Sequence, residues 1–211
     1  PLFRSKACFQ QHIRFVHIST DHLFSGDKEL ITEEEPVAPL NVYAQTKAEA
    51  EVRVLGSNPD SLVIRTNFYG WGTSYRQSFS DYIIKNISEG NNITLYRDVF
   101  YSPIFTSVLA KTVHDLVELN VSGIYNVVGD ERISKYEFGL KVASIFQLDP
   151  ILIKPGLMAE QGSVVRRPYD MSLSNNKTIE LLGRKLGGVG GHLDLMKRQQ
   201  TMGLAQEIQR L

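Results

Sequence analysis

Ile13-Arg-Phe-Val-His-Ile-Ser19 is a short, mainly apolar run rich in β-branched side chains, and Thr20-Asp21 follow it directly. Such a run, bounded by polar residues, reads as a buried strand. Thr20 to Pro39 then forms a long acidic loop holding Glu33, Glu34, Glu35 and two prolines. Asn41 can cap a helix running from about Val42 to Leu55, and Gly56 stops it. Ser61 to Phe68 (SLVIRTNF) is the next strand. Strand, helix and strand at this spacing predict an α/β fold with a mainly parallel sheet.

The pattern continues outward. Ser78 caps a predicted helix with Phe79, Ile83, Ile84 and Ile87 on one face, ending at Gly90. Ile93 to Tyr101 reads as a strand pair or an extended arm. Thr106 opens a helix with Val108, Leu109, Thr112, Val113, Leu116 and Val117 inward, and Gly123 to Val128 is a short strand. Ser134 and Glu137 form a capping box ahead of a helix to Leu148. Pro150 to Lys154 is a predicted strand, and Ser174 caps a helix ending near Gly183. Gly187 to Gly191 (GGVGG) follows a helix pattern rather than a strand, so it is expected to be a flexible connection and not a phosphate loop. The net basic tail from Arg184 is expected to be a solvated face ending in a short helix.

Composition narrows the function. The 211 residues hold 23 Lys plus Arg against 23 Asp plus Glu, a balance that argues against bulk electrostatic binding to nucleic acid or to an anionic membrane. The single cysteine, Cys8, cannot form an internal disulfide, and fits a reducing compartment; a cytoplasmic location is the expectation. No apolar run approaches the ~20 residues that span a bilayer. The five histidines show no metal-ligand spacing, so no metal site is expected. His17 reads as an ordinary half-buried strand residue, and Glu33 to Glu35 as a solvated loop face. Ser19, Asp21 and His22 are neighbours on one loop, which rarely supplies the relay of a triad.

The sharpest element is Tyr43-Ala-Gln-Thr-Lys47. At i and i+4 of a helix, phenol and ammonium share a face. A fixed positive charge there favours the phenolate, which lets a tyrosine exchange a proton with a substrate oxygen. With nine tyrosines in the chain, chance alone supplies roughly half a Tyr-x-x-x-Lys. Context adds weight: Ser19-Thr20-Asp21 ends one predicted strand and Arg65-Thr66-Asn67-Phe68-Tyr69 ends the next. Ligands of open parallel sheets bind beyond such ends, and a hydroxyl there can donate to a developing oxyanion.

Phe15-Val-His-Ile-Ser-Thr-Asp-His-Leu-Phe24, Pro39-Leu-Asn-Val-Tyr-Ala-Gln-Thr-Lys-Ala-Glu-Ala-Glu51, Val63-Ile-Arg-Thr66 and Arg166-Arg-Pro-Tyr-Asp-Met-Ser-Leu173 together resemble the extended short-chain dehydrogenase/reductases, most of all the dTDP-4-dehydrorhamnose reductase branch. The resemblance covers most of residues 13 to 183. It implies a partial Rossmann-type, doubly wound parallel sheet over residues 1–70. A smaller C-terminal substrate lobe would occupy 71–211, with the strand near 123–128 returning to the sheet. It implies NADPH or NADH as cofactor and a dTDP-4-keto-6-deoxyhexose as substrate, and it allows a homodimer. Residue by residue, Thr20, Tyr43 and Lys47 match the catalytic set: carbonyl-steadying hydroxyl, general acid, and the lysine that holds the ribose. Ser19, Arg65 and Asn67, with Tyr43 and Lys47, match cofactor-binding positions. Asp21, Phe68, Tyr69 and Arg167 match the substrate side.

Two departures stand out. The branch usually carries Ser-Trp after Arg-Thr, where this chain has Asn67-Phe68, which leaves the hexose open. The Gly-rich first βα turn, G-x-x-G-x-x-G, is absent, so about a hundred residues of pyrophosphate-binding half are expected outside this chain, at ~30 residues per βαβ unit. Two rival readings remain: a nucleotide-sugar epimerase or dehydratase with the same Tyr and Lys, and a non-catalytic relative such as the regulatory subunit of methionine adenosyltransferase.

Overall fold

The computed structural model describes residues 1–161 and 165–210. In chain order it contains α1 (Leu2–Gln10), β1 (Val16–Ile18), α2 (Val42–Ser57), β2 (Leu62–Arg65), β3 (Phe68–Tyr69), α3 (Phe79–Ser88), β4 (Ile93–Tyr96), β5 (Phe100–Tyr101) and β6 (Ile104–Phe105). There follow α4 (Thr106–Glu118), β7 (Gly123–Asn126), β8 (Ile133–Ser134), α5 (Lys135–Phe146), β9 (Ile153–Gly156), α6 (Asn176–Leu182), α7 (Val189–Thr201) and α8 (Leu204–Arg210).

The central sheet is parallel with order β1-β2-β7, registered Val16 to Leu62 and Leu62 to Gly123. All four residues of β2 are buried: Leu62, Val63 and Ile64 are the apolar run expected in the middle of a parallel sheet, and Arg65 closes it as a paired charge. Among the described residues β1 pairs on one side only, and Ile18 on its far edge is 39% exposed. β1 is shorter than residues 13–19 because its partner strand starts opposite Val16. The predicted strand 61–68 also divides. After Arg65 the chain leaves the ladder with β7, and Phe68–Tyr69 pairs instead with Ile104–Phe105. The stretch 93–101 is two strands with separate partners, β4 on β9 and β5 on β8.

Local signals set the starts of α2, α3 and α5. Asn41 Oδ1 accepts from Ala44 N–H at 2.9 Å, and full capping boxes open α3 (Ser78, Asp81) and α5 (Ser134, Glu137). Buried Ala44, Ala48, Glu51 and Val54 form the inward stripe of α2. Residues 150–152 are a short 3₁₀ turn rather than strand, since the Asp149 carboxylate accepts from Ile151 N–H. α6 starts after Asn175, not Ser174, because the Asn175 amide is tied to Val128 O and Asp130.

Three expectations are corrected. Gly187–Gly191 is not a flexible connection: it opens α7, where Gly187 N–H and Val189 N–H donate to the carboxylates of Asp130 and Glu131. Negative charge is favoured at a helix N-terminus, which explains the anchorage. Nor is the tail a solvated face. Val189, His192, Leu193 and Met196 are buried, and three of them join Tyr69, Ile83 and Phe138 in the largest core cluster. Glu33 is half-buried, with Oε1 accepting from Asn126 N–H at 2.7 Å, while Glu34 remains exposed.

One buried ion pair ties α2 to the sheet. Arg65 Nη2 meets Glu51 Oε2 at 2.8 Å and Nε reaches both carboxylate oxygens at 3.2 Å, with both side chains about 4% exposed. The guanidinium also lies over the Phe24 ring. Removing one partner strands a buried charge. Arg65→Met is therefore expected to lose about 3–5 kcal/mol of stability in urea titration. The double variant Arg65→Met/Glu51→Leu should recover much of that loss; equal losses in both would show that the charge is not the cause.

Candidate active site

At the carboxyl ends of β1 and β2 lies an open cavity of about 640 Å³. Its wall begins with Ser19, Thr20, Asp21 and His22, which continue from β1. Thr66, Asn67 and Phe68 continue from β2, and Tyr43 enters from the first turn of α2. The loop after β3, from Trp71 to Gln77, closes the far side.

The two halves of the tyrosine–lysine motif are placed differently. Tyr43 is 56% exposed and leans its ring edge-on to His22, centroids 6.0 Å apart. Lys47 is half-buried, and its ammonium donates to Ile18 O at 2.7 Å, at the end of β1. Burial lowers the Lys47 pKa, against the pull of Glu51.

Below Tyr43 the wall is polar and enclosed. Asp21 is 1% exposed; its Oδ2 accepts from Asn67 Nδ2 at 2.6 Å and its Oδ1 from the Thr20 hydroxyl at 3.3 Å. Burial pushes the Asp21 carboxyl above its ordinary range, opposed first by His22, then by the Asn67 bond and by Lys135. The buried Ser19 and Thr66 hydroxyls have no partner among the described residues. No group of three or more His, Cys, Asp or Glu able to hold a metal occurs among the described residues, and no helix there is long and apolar enough to cross a membrane.

Of the residues singled out from sequence, the fold brings Ser19, Thr20, Asp21, Tyr43, Asn67, Phe68 and Tyr69 to one cavity wall, with Lys47 bonded to its edge. Arg65 is not on that wall: its guanidinium is bonded to Glu51 and turned into the core. Tyr69 is on it, but its ring is buried against Phe105 and Phe138, its hydroxyl faces Val189 O, and burial holds the phenol far above the usual range. Arg167 is exposed and lies on a neighbouring cavity of about 360 Å³, walled by Tyr82, Tyr96, Met158 and Lys135, that shares His22 and Phe79 with the first. Lys135 was missed from sequence. The signal was present: the Ser134–Glu137 capping box already places a lysine at the first position of a helix, the wrong end for a cation.

An open parallel α/β sheet with a Tyr-x-x-x-Lys helix over its strand ends is the architecture of the short-chain dehydrogenase/reductases. Residues 4–193 match the RmlD substrate binding domain, and the chain belongs to that family. It is 31% identical over 166 residues to the probable low-salt glycan biosynthesis reductase Agl14 of Haloferax volcanii, covering 76% of this chain and 55% of that protein. It is 26% identical over 175 residues to methionine adenosyltransferase 2 subunit beta of Danio rerio, covering 80% and 54%. The crystal structure of dTDP-4-dehydrorhamnose reductase from Bacillus anthracis in complex with NADP superposes with a TM-score of 0.85 at 25% identity, over 92% of this chain and 69% of that one. The chain spans a little over half the length of the curated relatives it matches.

The raised Asp21 carboxyl makes a prediction about stability. An acid whose folded pKa lies above its unfolded value binds more protons when folded, so its contribution is full at acid pH and is lost as pH rises through the window between the two. The stability of the native chain relative to Asp21→Asn should therefore fall as pH rises above about 4, the ordinary carboxylate range, in paired urea titrations. A constant difference would show that Asp21 carries no such strain.

Proposed function

We propose that the whole protein is an oxidoreductase that reduces the 4-keto group of a nucleotide-linked 6-deoxyhexose, with a dTDP-sugar as the substrate class. The observation that supports this most is the shared wall of the 640 Å³ cavity, where Thr20, Asp21 and Tyr43 meet Asn67 and Phe68 at the ends of adjoining parallel strands. The donor set suits the nicotinamide-ribose end of a dinucleotide: two unpartnered buried hydroxyls, Ser19 and Thr66, and Lys47 at the end of β1. The sequence holds no Gly-rich strand–turn–helix to cradle a pyrophosphate, so the fit covers that end alone. NADPH or NADH, when bound, supplies a hydride to the carbonyl carbon.

The chain's own residues do the rest. Tyr43, exposed at the cavity mouth, gives its phenolic proton to the carbonyl oxygen as negative charge develops there. Thr20 turns its hydroxyl from Asp21 toward the same oxygen and steadies it. Lys47 holds the ribose and replenishes the Tyr43 proton. Phe68, half in solvent at the rim, packs on the sugar, and Arg167 in the neighbouring cavity faces the nucleotide end.

Similarity to methionine adenosyltransferase 2 subunit beta favours a second, non-catalytic reading, whose signature is a stable complex with a partner and no turnover. Cofactor absorbance in the presence of a 4-keto sugar nucleotide separates the two. In the full-length protein Tyr43→Phe should lower kcat at least ~10²-fold with nucleotide affinity nearly unchanged; undiminished turnover would sink the assignment. Phe68→Trp restores an indole N–H at the rim and should change the ranking of 4-keto sugars by ~1–3 kcal/mol in kcat/KM. An unchanged ranking across a sugar panel would remove Phe68 from the sugar contact.

A further inference from the structure

The far wall of the 640 Å³ cavity is a loop strung between two anchored aromatics. At one end the Trp71 indole donates to Met196 O at 3.2 Å; at the other the Phe79 ring stacks on Phe138, centroids 5.7 Å apart. Between them Arg76 N–H donates to Thr73 O at 3.2 Å, so residues 73–76 form a tight turn with Ser74 and Tyr75 at its tip. The turn has open space on both sides. Its inner face borders the 640 Å³ cavity, and its outer face borders another of about 570 Å³, reached also by Lys85 of α3, Gln200 of α7 and Gln209 of α8. Packing alone leaves such a turn free to swing, so its place depends on how its ends are held.

One carboxylate holds both ends. Asp81 is buried, and its Oδ2 accepts from Gly72 N–H at 2.6 Å and from Ser78 N–H at 3.1 Å. The bond to Ser78 belongs to the capping box of α3. The bond to Gly72 does not: a helix start has no need of it, and it closes residues 72–78 into a ring. Gly72 permits the approach, since a Cβ there would stand 2.7 Å from the same Oδ2 and 2.3 Å from Arg76 O. Asp81 Oδ1 has no partner among the described residues, so the clasp works through one oxygen.

The clasped turn carries Arg76 on the cavity wall. Arg76 is exposed, and its guanidinium makes no hydrogen bond and has no carboxylate within 4.0 Å among the described residues. A free planar fork of N–H donors matches the oxygens of a phosphate. The cavity joins its 360 Å³ neighbour through His22 and Phe79, and Arg76 stands three residues before Phe79. A sugar in the first cavity and a nucleoside in the second would put the diphosphate that links them at this junction.

We propose that Arg76 is a specificity-determining contact for the diphosphate of a sugar nucleotide, and that Asp81 is the positioning residue that clasps the 72–78 loop and so holds Arg76 over the cavity. The identity of the ligand rests on the reductase reading; the clasp does not.

The test uses the full-length protein with reduced cofactor, and dTDP-glucose, which has the diphosphate but no 4-keto group, as the calorimetric probe. Arg76→Gln should weaken probe binding about tenfold, the scale of a lost hydrogen bond between charged groups. In turnover the same variant should raise KM with kcat little changed. Unchanged probe affinity in folded Arg76→Gln overturns the contact. Asp81→Ala should weaken the probe to a similar degree, and adding Arg76→Gln to it should cost little more, because the two act as one unit. Losses that multiply in the double variant overturn the positioning role. Asp81→Asn keeps an accepting oxygen and should bind close to native. Gly72→Ala, which pushes on the clasp from the loop side, is the second disruptive variant should Asp81→Ala misfold. Hydrogen exchange reads the clasp without any ligand: the Gly72 amide should be protected in the native protein and exposed in Asp81→Ala, and retained protection overturns the clasp. Native protein that binds dTDP-glucose but does not turn over a 4-keto sugar defeats the reductase reading alone. Native protein that does not bind dTDP-glucose overturns the Arg76 contact.

Discussion

The bond between Arg65 and Glu51 decides which face of α2 meets the cavity. Glu51 lies eight residues after Tyr43 and four after Lys47, so the three share one stripe of α2 with successive members about 6 Å apart along the axis. Glu51 is fixed to β2 through Arg65, and Lys47 to the end of β1 through Ile18 O. Two turns are thus clamped to neighbouring strands. The third, carrying Tyr43, projects past the strand ends into the cavity. A helix held by packing alone could rotate its face by small amounts. Two charge-assisted bonds to adjacent strands fix that face, and positioning within fractions of an ångström is what proton transfer demands.

Much of this was legible in the sequence where the cause is local. Capping at Asn41, Ser78 and Ser134 depends on side chains within three residues, and each cap forms as expected. The strand ends bearing Thr20 and Asn67 followed from apolar runs that stop abruptly. What was not legible depended on distant partners. Nothing near Phe68 announces that it pairs with Ile104, or that the glycines at 187–191 meet the carboxylates of Asp130 and Glu131. Arg65 is the most instructive case: an arginine at the end of a strand beside a ligand site reads as a ligand contact, and only the burial of Glu51 four residues beyond Lys47 reveals a structural bond.

The site concentrates polar groups that the fold leaves unfinished. The hydroxyls of Ser19 and Thr66 lack partners among the described residues, Asp21 is dehydrated, and Lys135 has aromatic rings where a carboxylate would be expected. Elsewhere the same chain pairs its charges closely, as Asp170 does with Arg132 and Asp115 with Lys111. Buried polar groups left open cost stability, and a cavity wall is where a ligand can complete them.

The return of α7 has a consequence for synthesis. The Trp71 indole donates to Met196 O across 125 residues, and Tyr69 reaches Val189 across 120. A ribosome adding 5–20 residues per second takes about 6 to 25 s to make the segment between Trp71 and its acceptor. Once Phe138 has been added, the aromatic surface it forms with Tyr69 and Trp71 stands without its cover for the last 58 of those residues, about 3 to 12 s. The core thus closes late, and the nascent chain presents a sticky aromatic face that passing chaperones can bind before α7 arrives.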